Sequence, residues 1–309
     1  MVTIIEADKT AINEIFELFT LYRNLPFVYE GDKFLYRLLW KLKISGEPIK
    51  IFVAKNDGKI IGCVYGLKHL GAAGWLGGLF VDPHYRRRGI GKQLMKHCIN
   101  SLRDLGCSEI FLFTDPRNIP AVNLFRKLGF SLAFLREDWS LTLQNREFAA
   151  PHCSKPRIED LPQVTAFLKN RIIRLFYYPV RLLPSVIRDL VKKERIVVYK
   201  PNDEKIIGAL VFSISKLISV NDASFIFRDE WIEKLGKESD IIMEINLITK
   251  ENVVAEALLL EAIHVAKVNN CRNLICYHRK DDGNKKVLQR LGFEKVDSAV
   301  INVMKLTVK

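Results

Sequence analysis

Four short pieces of this chain occur twice in the same order, and that repetition constrains the fold more than any single motif. "FVAKNDGKIIGCVYGL" (52–67) is echoed by "VVYKPNDEKIIGALVFSI" (197–214). "GCSEIFLF" (106–113) is echoed by "NCRNLICY" (270–277), and "FRKLGF" (125–130) by "LQRLGF" (288–293). The openings match as well, "IIEADKTAINEIFELF" (4–19) with "RIEDLPQVTAFL" (157–168). The first pair reads as strand, polar turn, and Lys-Ile-Ile-Gly entering a second strand. The second pair reads as a buried strand after an amphipathic helix. The third reads as a helix ending at its glycine, with the phenylalanine starting the next strand into the core. Gly62 to Leu128 spans 66 positions and Gly208 to Leu291 spans 83. The second repeat therefore holds about 17 more residues, most simply between its third and fourth strands. "QNREFAAPHCSKPR" (144–157) has two prolines and no periodicity, so the boundary falls there, giving domains 1–148 and 149–309.

With 309 residues, nearly half of them apolar, each half can build its own core. The longest apolar candidate, "VVAEALLLEAIHVA", is interrupted by Glu256 and Glu261, so no membrane span is expected. The start "MVTIIEADKT" lacks a basic flank before an apolar core, so no secretory signal is expected and the chain reads as cytoplasmic. None of the six cysteines forms a Cys-x-x-Cys pair, which suits a reducing compartment and gives no sign of a metal site. Cys63 and Cys98 sit among apolar neighbours and read as core residues. Residues 1–150 carry 21 Lys+Arg and 15 Asp+Glu, and the rest carries 27 and 20. An excess spread so evenly favours anionic ligands and argues against nucleic acid, which needs a clustered patch or a recognised module.

"LFVDPHYRRRGIGKQLMKHCINSLRDLG" (79–106) carries the most chemistry. A strand runs into a basic loop. From Ile90 the apolar residues Leu94, Met95, Cys98, Leu102 and Leu105 form one face of a helix. The first N–H groups of a helix have no internal partner, and its dipole favours an anion there. Gly89 and Gly91 leave room for a phosphate to approach the backbone, and Arg86, Arg87, Arg88 and Lys92 add positive charge.

An Arg-x-x-Gly-x-Gly loop after a strand ending "VDP", followed by "NIPAVNLFRKLGF", resembles the GNAT superfamily of acetyl-CoA-dependent N-acetyltransferases. The resemblance covers the first half nearly end to end and the second through its hydrophobic frame. It implies two tandem α/β (α+β) domains, each a mixed, mostly antiparallel, splayed sheet flanked by helices. Acetyl-CoA would lie in the splay as cosubstrate. The backbone amides of Arg87, Arg88, Gly89, Ile90, Gly91 and Lys92 would hold its pyrophosphate. Backbone groups of Leu79, Phe80 and Val81 would pair with the pantetheine arm, with Leu79 N–H near the thioester oxygen. Asn118, Ala121 and Phe125 would line the other wall.

Two departures from that family follow. Residues 69–81 hold no carboxylate where members often place a basic Glu. Asp115, Glu30, His69 and a water relay are the remaining candidates, and none is assigned. Phe125 stands where the family usually has a Tyr that protonates the leaving thiolate, and it has no proton to give. In the second half "KENVVAEALL" (250–259) replaces the loop, with Val253 for Gly89 and Ala255 for Gly91. β-Branched Val253 would crowd a phosphate and Glu251 would repel it, so this half is read as degenerate. Phe19, Tyr22, Phe27, Tyr29 and Trp40 form either a cleft wall or ordinary core, and Gly77-Gly78 either a bulge beside the acyl group or plain strand. The expected activity is acetyl transfer to a primary amine, whether small molecule, polyamine, protein N-terminus or Lys. The rival readings are a non-catalytic acyl-CoA sensor and an acyltransferase on a thiol-containing metabolite.

Overall fold

The computed structural model describes residues 1–8, 10–22, 49–68, 73–143, 153–169, 171–175, 178–182, 184–201, 205–216, 241–280, 283–295 and 301–308. The chain divides into two compact units. Among the described residues the first unit holds Met1–Ala133 and the C-terminal stretch from Ile301, and the second holds the residues between Phe134 and Val300.

The first unit runs β1 (Thr3–Glu6), α1 (Ala11–Leu21), β2 (Ile49–Asn56), β3 (Lys59–Lys68), β4 (Ala73–Val81), α2 (Ile90–Asp104), β5 (Glu109–Thr114) and α3 (Ile119–Lys127). The chain then enters β6 (Ser131–Thr142). β2 and β3 are joined by a tight turn with Asp57 at φ 49° and Gly58 at φ 81°. That is the Asp-Gly chemistry whose twist matches a hairpin. β1–β2, β2–β3 and β3–β4 are antiparallel, and β4–β5 is parallel. Helix α2 forms because its apolar residues recur on one face, and Leu94, Met95, Cys98 and Leu102 are all almost fully buried. The helix lies close to the sheet because β3 offers glycines beneath it. A Cβ on Gly66 would stand 2.6 Å from Cys98 Sγ.

The second unit runs β7 (Cys153–Ser154), α4 (Leu161–Leu168), β8 (Ile172–Leu175), β9 (Tyr178–Arg181), α5 (Pro184–Lys192), β10 (Ile196–Tyr199), β11 (Gly208–Lys216), β12 (Ile241–Ile248), α6 (Asn252–Val268), β13 (Cys271–Arg279), α7 (Lys285–Arg290) and β14 (Glu294–Lys295). β7, β10, β11 and β12 pair antiparallel in that order, and β12–β13 is parallel. β8 and β9 form a separate hairpin. Helix α6 covers one face through Val254, Leu258 and Ala262 against Phe212, Met243 and Ile245. Helices α4 and α5 cover the other through Val164, Leu168 and Ile187 against Val198 and Val211.

The repeat read from sequence is therefore a repeat of elements: β2–β3 with β10–β11, β4–α2–β5 with β12–α6–β13, and α3 with α7. The length difference falls where expected, with residues 69–72 between β3 and β4 against 217–240 between β11 and β12.

The boundary differs from the sequence reading of 1–148 and 149–309. Residues Arg136–Thr142 of β6 pair antiparallel with β13 in the second unit. The last strand, β15 (Ile301–Thr307), pairs antiparallel with β5 of the first, from Asn302↔Thr114 to Thr307↔Glu109. The contacts thus divide after Ala133. Proline and loss of periodicity mark a loop, whereas strand pairing decides which unit a segment joins.

Candidate active site

The parallel pairing of β4 with β5 covers only Ala73↔Glu109, Gly74↔Ile110 and Trp75↔Phe111. Beyond Trp75 the two strands have no common register, while β5 continues to Thr114 against β15. Leu79, Phe80 and Val81 all lie on this diverging end of β4. On its other edge β4 carries a bulge. Cys63 faces Phe80 and Tyr65 faces Gly77, so β4 has one residue more than β3 across that interval. Gly78 adopts φ 60° within it. A bulge re-aims the strand and raises its twist, which is how a sheet opens locally. Of the two readings of Gly77-Gly78, the bulge is the one found.

The basic loop follows directly. Asp82 caps a short 3-10 turn over Pro83–Tyr85, its Oδ1 accepting from His84 N–H at 2.8 Å. Arg86 Nε donates to the Val81 carbonyl at 2.9 Å, with its guanidinium over the Phe80 ring. Arg88 Nη2 donates to the His84 carbonyl at 3.2 Å, with its guanidinium over Tyr85. Arg87 takes φ 63° and Gly89 takes φ 79°. Gly89 is the cap residue before α2, and Gln93 N–H donates to its carbonyl at 3.1 Å. The N–H groups of Ile90, Gly91 and Lys92 precede the first helical bond and have no intrahelical acceptor. A Cβ on Gly89 would meet nothing within 4 Å, so the space over the loop is open. Open space over orphan N–H groups, flanked by exposed Arg86, Arg87, Arg88 and Lys92, fits the pyrophosphate of an acyl-CoA. Gly91 lies one residue further into the helix. A Cβ there would make only ordinary contacts, 3.5 Å from Leu124 Cδ2 and 3.7 Å from Val81 Cγ2, so packing alone does not demand a glycine.

Asn118 caps α3, its side-chain oxygen accepting from Ala121 N–H at 3.4 Å. Phe125 lies in the core cluster of α2 and β5, with its ring edge-on to Phe130. A ring so placed contributes packing and no proton.

On the sheet face away from α2, Phe80 meets Phe19 at 5.3 Å and Tyr22 at 5.8 Å between ring centroids. Tyr22 also lies near the Asp82 carboxylate. Burial first and that carboxylate second push its phenol above the ordinary range. Cys63 donates from Sγ to the Gly78 carbonyl at 3.8 Å, and the Tyr65 ring lies across Gly77. Tyr65 and Asp82 are polar residues of this face that the sequence reading did not single out. The signal was available: Gly62 and Gly66 face α2, so alternation along β3 turns Cys63 and Tyr65 the other way.

Of the proposed bases, Asp115 is held by Arg117, which donates Nη2 at 2.6 Å and Nε at 3.0 Å. Glu30 and His69 lie outside the described residues, as do Phe27, Tyr29 and Trp40. Cys98 is fully buried, and that burial pushes its thiol well above the ordinary range, against any nucleophilic role. Among the described residues no group of three or more His, Cys, Asp or Glu could hold a metal. Among them too, no helix is long and apolar enough to cross a membrane.

The second unit is built differently at the matching places. β12 and β13 stay paired from Ile241↔Cys271 to Asn246↔Tyr277, twice the length of the β4–β5 ladder. Helix α6 begins at Asn252 after an extended Glu251, and Val253 is exposed within it, with no left-handed residue before the helix. Its sheet buries Glu244, whose carboxylate accepts from Tyr277 at 2.5 Å and Ser213 at 3.1 Å.

Residues 12–130 match the Acetyltransferase (GNAT) family model. The chain is 29% identical over 130 residues to the ribosomal protein bS18-alanine N-acetyltransferase of Escherichia coli strain K12, covering 41% of this chain and 87% of that one. It is 33% identical over 85 residues to the mycothiol acetyltransferase of Thermomonospora curvata, covering 28% of this chain and 29% of that one. A tandem GNAT protein from the clavulanic acid biosynthesis pathway superposes with TM-score 0.52 at 12% identity, over 99% of this chain and 98% of that one. That likeness concerns the fold, and it extends over both units. Residues 12–130, which hold the glycine loop and the diverging end of β4, are thus the part of the chain similar to acetyltransferases of the GNAT family.

Proposed function

We propose that this chain transfers acetyl from acetyl-CoA to a primary amine in a ternary complex, with the first unit holding the thioester. The observation that carries this reading is the diverging end of β4 running straight into a left-handed glycine and a helix start. One feature can receive the pantetheine arm, the other the pyrophosphate. The backbone amides of Arg87 to Lys92 bind the phosphates, Leu79 to Val81 bind the arm, and Asn118, Ala121 and Phe125 form the opposite wall. The amine attacks the thioester carbon as a neutral nucleophile. Leu79 N–H stabilises the developing oxyanion, a donor whose loss typically costs ~3 kcal/mol. A thioester is already reactive, so alignment supplies much of the acceleration.

Among amine acceptors, a protein α-amine is supported by similarity to enzymes named ribosomal protein bS18-alanine N-acetyltransferase and N-alpha-acetyltransferase 30. Among its described residues the second unit has no phosphate loop of this kind, so the acyl-CoA is assigned to the first. A non-catalytic acyl-CoA sensor is the second reading, favoured by the buried ring of Phe125 where an acid would serve turnover.

The test combines calorimetry and turnover. Acetyl-CoA should bind the wild-type chain, and Gly89→Glu should weaken that binding at least tenfold. Unchanged binding in Gly89→Glu would remove the loop from the site. Amine-dependent release of CoA distinguishes enzyme from sensor. The panel is a hexapeptide with free N-terminal alanine, the same peptide blocked, a polyamine and an amino-thiol.

A further inference from the structure

We infer that the hydroxyl of Tyr65 positions the acceptor amine, an inference that rests on the transferase reading above. Tyr65 lies on β3, on the face turned away from α2, paired with Gly77 across the β4 bulge. Gly77 has no side chain, and the Tyr65 ring fills the place where one would project. A Cβ built on Gly77 would overlap the phenolic oxygen and stand 2.5 Å from Cζ. The hydroxyl is thus delivered onto β4 immediately before Gly78, whose φ of 60° marks the bulge, and two residues before Leu79. Two residues of strand span about 6–7 Å. A thioester oxygen on Leu79 N–H therefore puts its carbonyl carbon within reach of an amine hydrogen-bonded at Tyr65.

The surroundings suit that role. Phe19, Phe80 and Cys63 make this face largely apolar beside the bulge. Tyr22 and Asp82 form a polar pair at its loop end. An amine entering here must be neutral to attack, and apolar walls disfavour its charged form. The Tyr65 oxygen accepts one amine N–H and turns the nitrogen lone pair toward the thioester carbon. The C–N bond then forms and the C–S bond breaks. The nitrogen loses one proton to solvent and the CoA thiolate takes one up from solvent. Tyr65 acts by orientation and carries no net charge through the step.

Tyr65→Phe keeps the ring and removes the oxygen. Gly77→Ala keeps the oxygen and displaces it. Each is measured for acetyl-CoA binding by calorimetry and for steady-state acetylation of the N-terminal-alanine hexapeptide and of the amine panel. Both variants are expected to bind acetyl-CoA within twofold of wild type and to lose at least tenfold in kcat/KM for the amine. The loss in Tyr65→Phe should persist across pH 6.5 to 9, because an orienting hydroxyl is not replaced by deprotonating the amine in bulk. Wild-type turnover that Tyr65→Phe leaves within twofold would overturn this inference alone. Loss of acetyl-CoA binding in Tyr65→Phe would overturn it too, by showing a structural role. Absence of CoA release from the wild-type chain with every amine would overturn the transferase reading and, with it, the inference.

Discussion

The amide of Phe130 donates to the carbonyl of Phe125 at 3.0 Å, and the amide of Phe293 donates to Leu288 at 2.9 Å. Gly129 sits between the first pair at φ 92° and Gly292 between the second at φ 85°. The repeated Leu-Gly-Phe is one helix terminus made twice, the glycine supplying the left-handed residue that closes the turn. Gly129→Ala should cost about 1–2 kcal/mol, because an L-residue is strained in that conformation. Urea unfolding of the variant measures it.

Phe125 is buried between α2, β5 and Phe130. On the proposed transferase reading, Phe125→Tyr would bring a hydroxyl to the wall beside the leaving thiolate. If protonation of that thiolate limits turnover, kcat rises by up to the 10²-fold typical of a general acid. Stopped-flow detection of free thiol reads the change, and an unaltered kcat would assign thiolate protonation to solvent.

Calorimetry should give one acetyl-CoA per chain. The β12–β13 ladder stays closed through Asn246↔Tyr277, and α6 starts without a left-handed glycine. Val253→Gly would restore one small residue but neither the opening nor the loop, so the stoichiometry should remain one.

Tyr277 donates to the buried carboxylate of Glu244 at 2.5 Å. Tyr277→Phe removes a donor from a charged group shielded from water, and should destabilise the second unit by about 1–3 kcal/mol. Ser213→Ala removes the longer bond to the same carboxylate and should cost less. Thermal melts of the two variants rank them.

Asp160 pairs with Lys200 at 2.6 Å, where the aspartate side chain is 31% and the lysine side chain 11% exposed. That lysine, together with the Arg157 N–H, holds Asp160 below its ordinary value of 3.8. The folded chain binds this proton less readily than the unfolded chain. The contribution is therefore complete above the ordinary value and is lost as pH falls below it. Asp160→Asn should flatten the acid limb of a stability profile below about pH 4, with little change in its slope above pH 5.

Much of the frame was legible in the residues because the forces behind it are local. Apolar spacing on α2 and α6, the Asn-Asp-Gly turn of β2–β3 and the glycine-closed helix ends depend on neighbours within a few positions. So does the loop from Arg86 to Lys92, whose glycines announce close backbone approach before any fold is known. The chain's two-part organisation follows from the repeat of those local signals.

Pairing across the sheet was decided only by the tertiary structure. Arg136–Thr142 could have closed the first unit, yet they pair with β13, and β15 takes the place beside β5. The three-residue β4–β5 ladder against six in β12–β13 is likewise a matter of register and bulge. So is the Tyr65 ring lying on Gly77. Such relationships join residues distant in sequence through hydrogen-bond geometry and shared space, and no period within either segment records them.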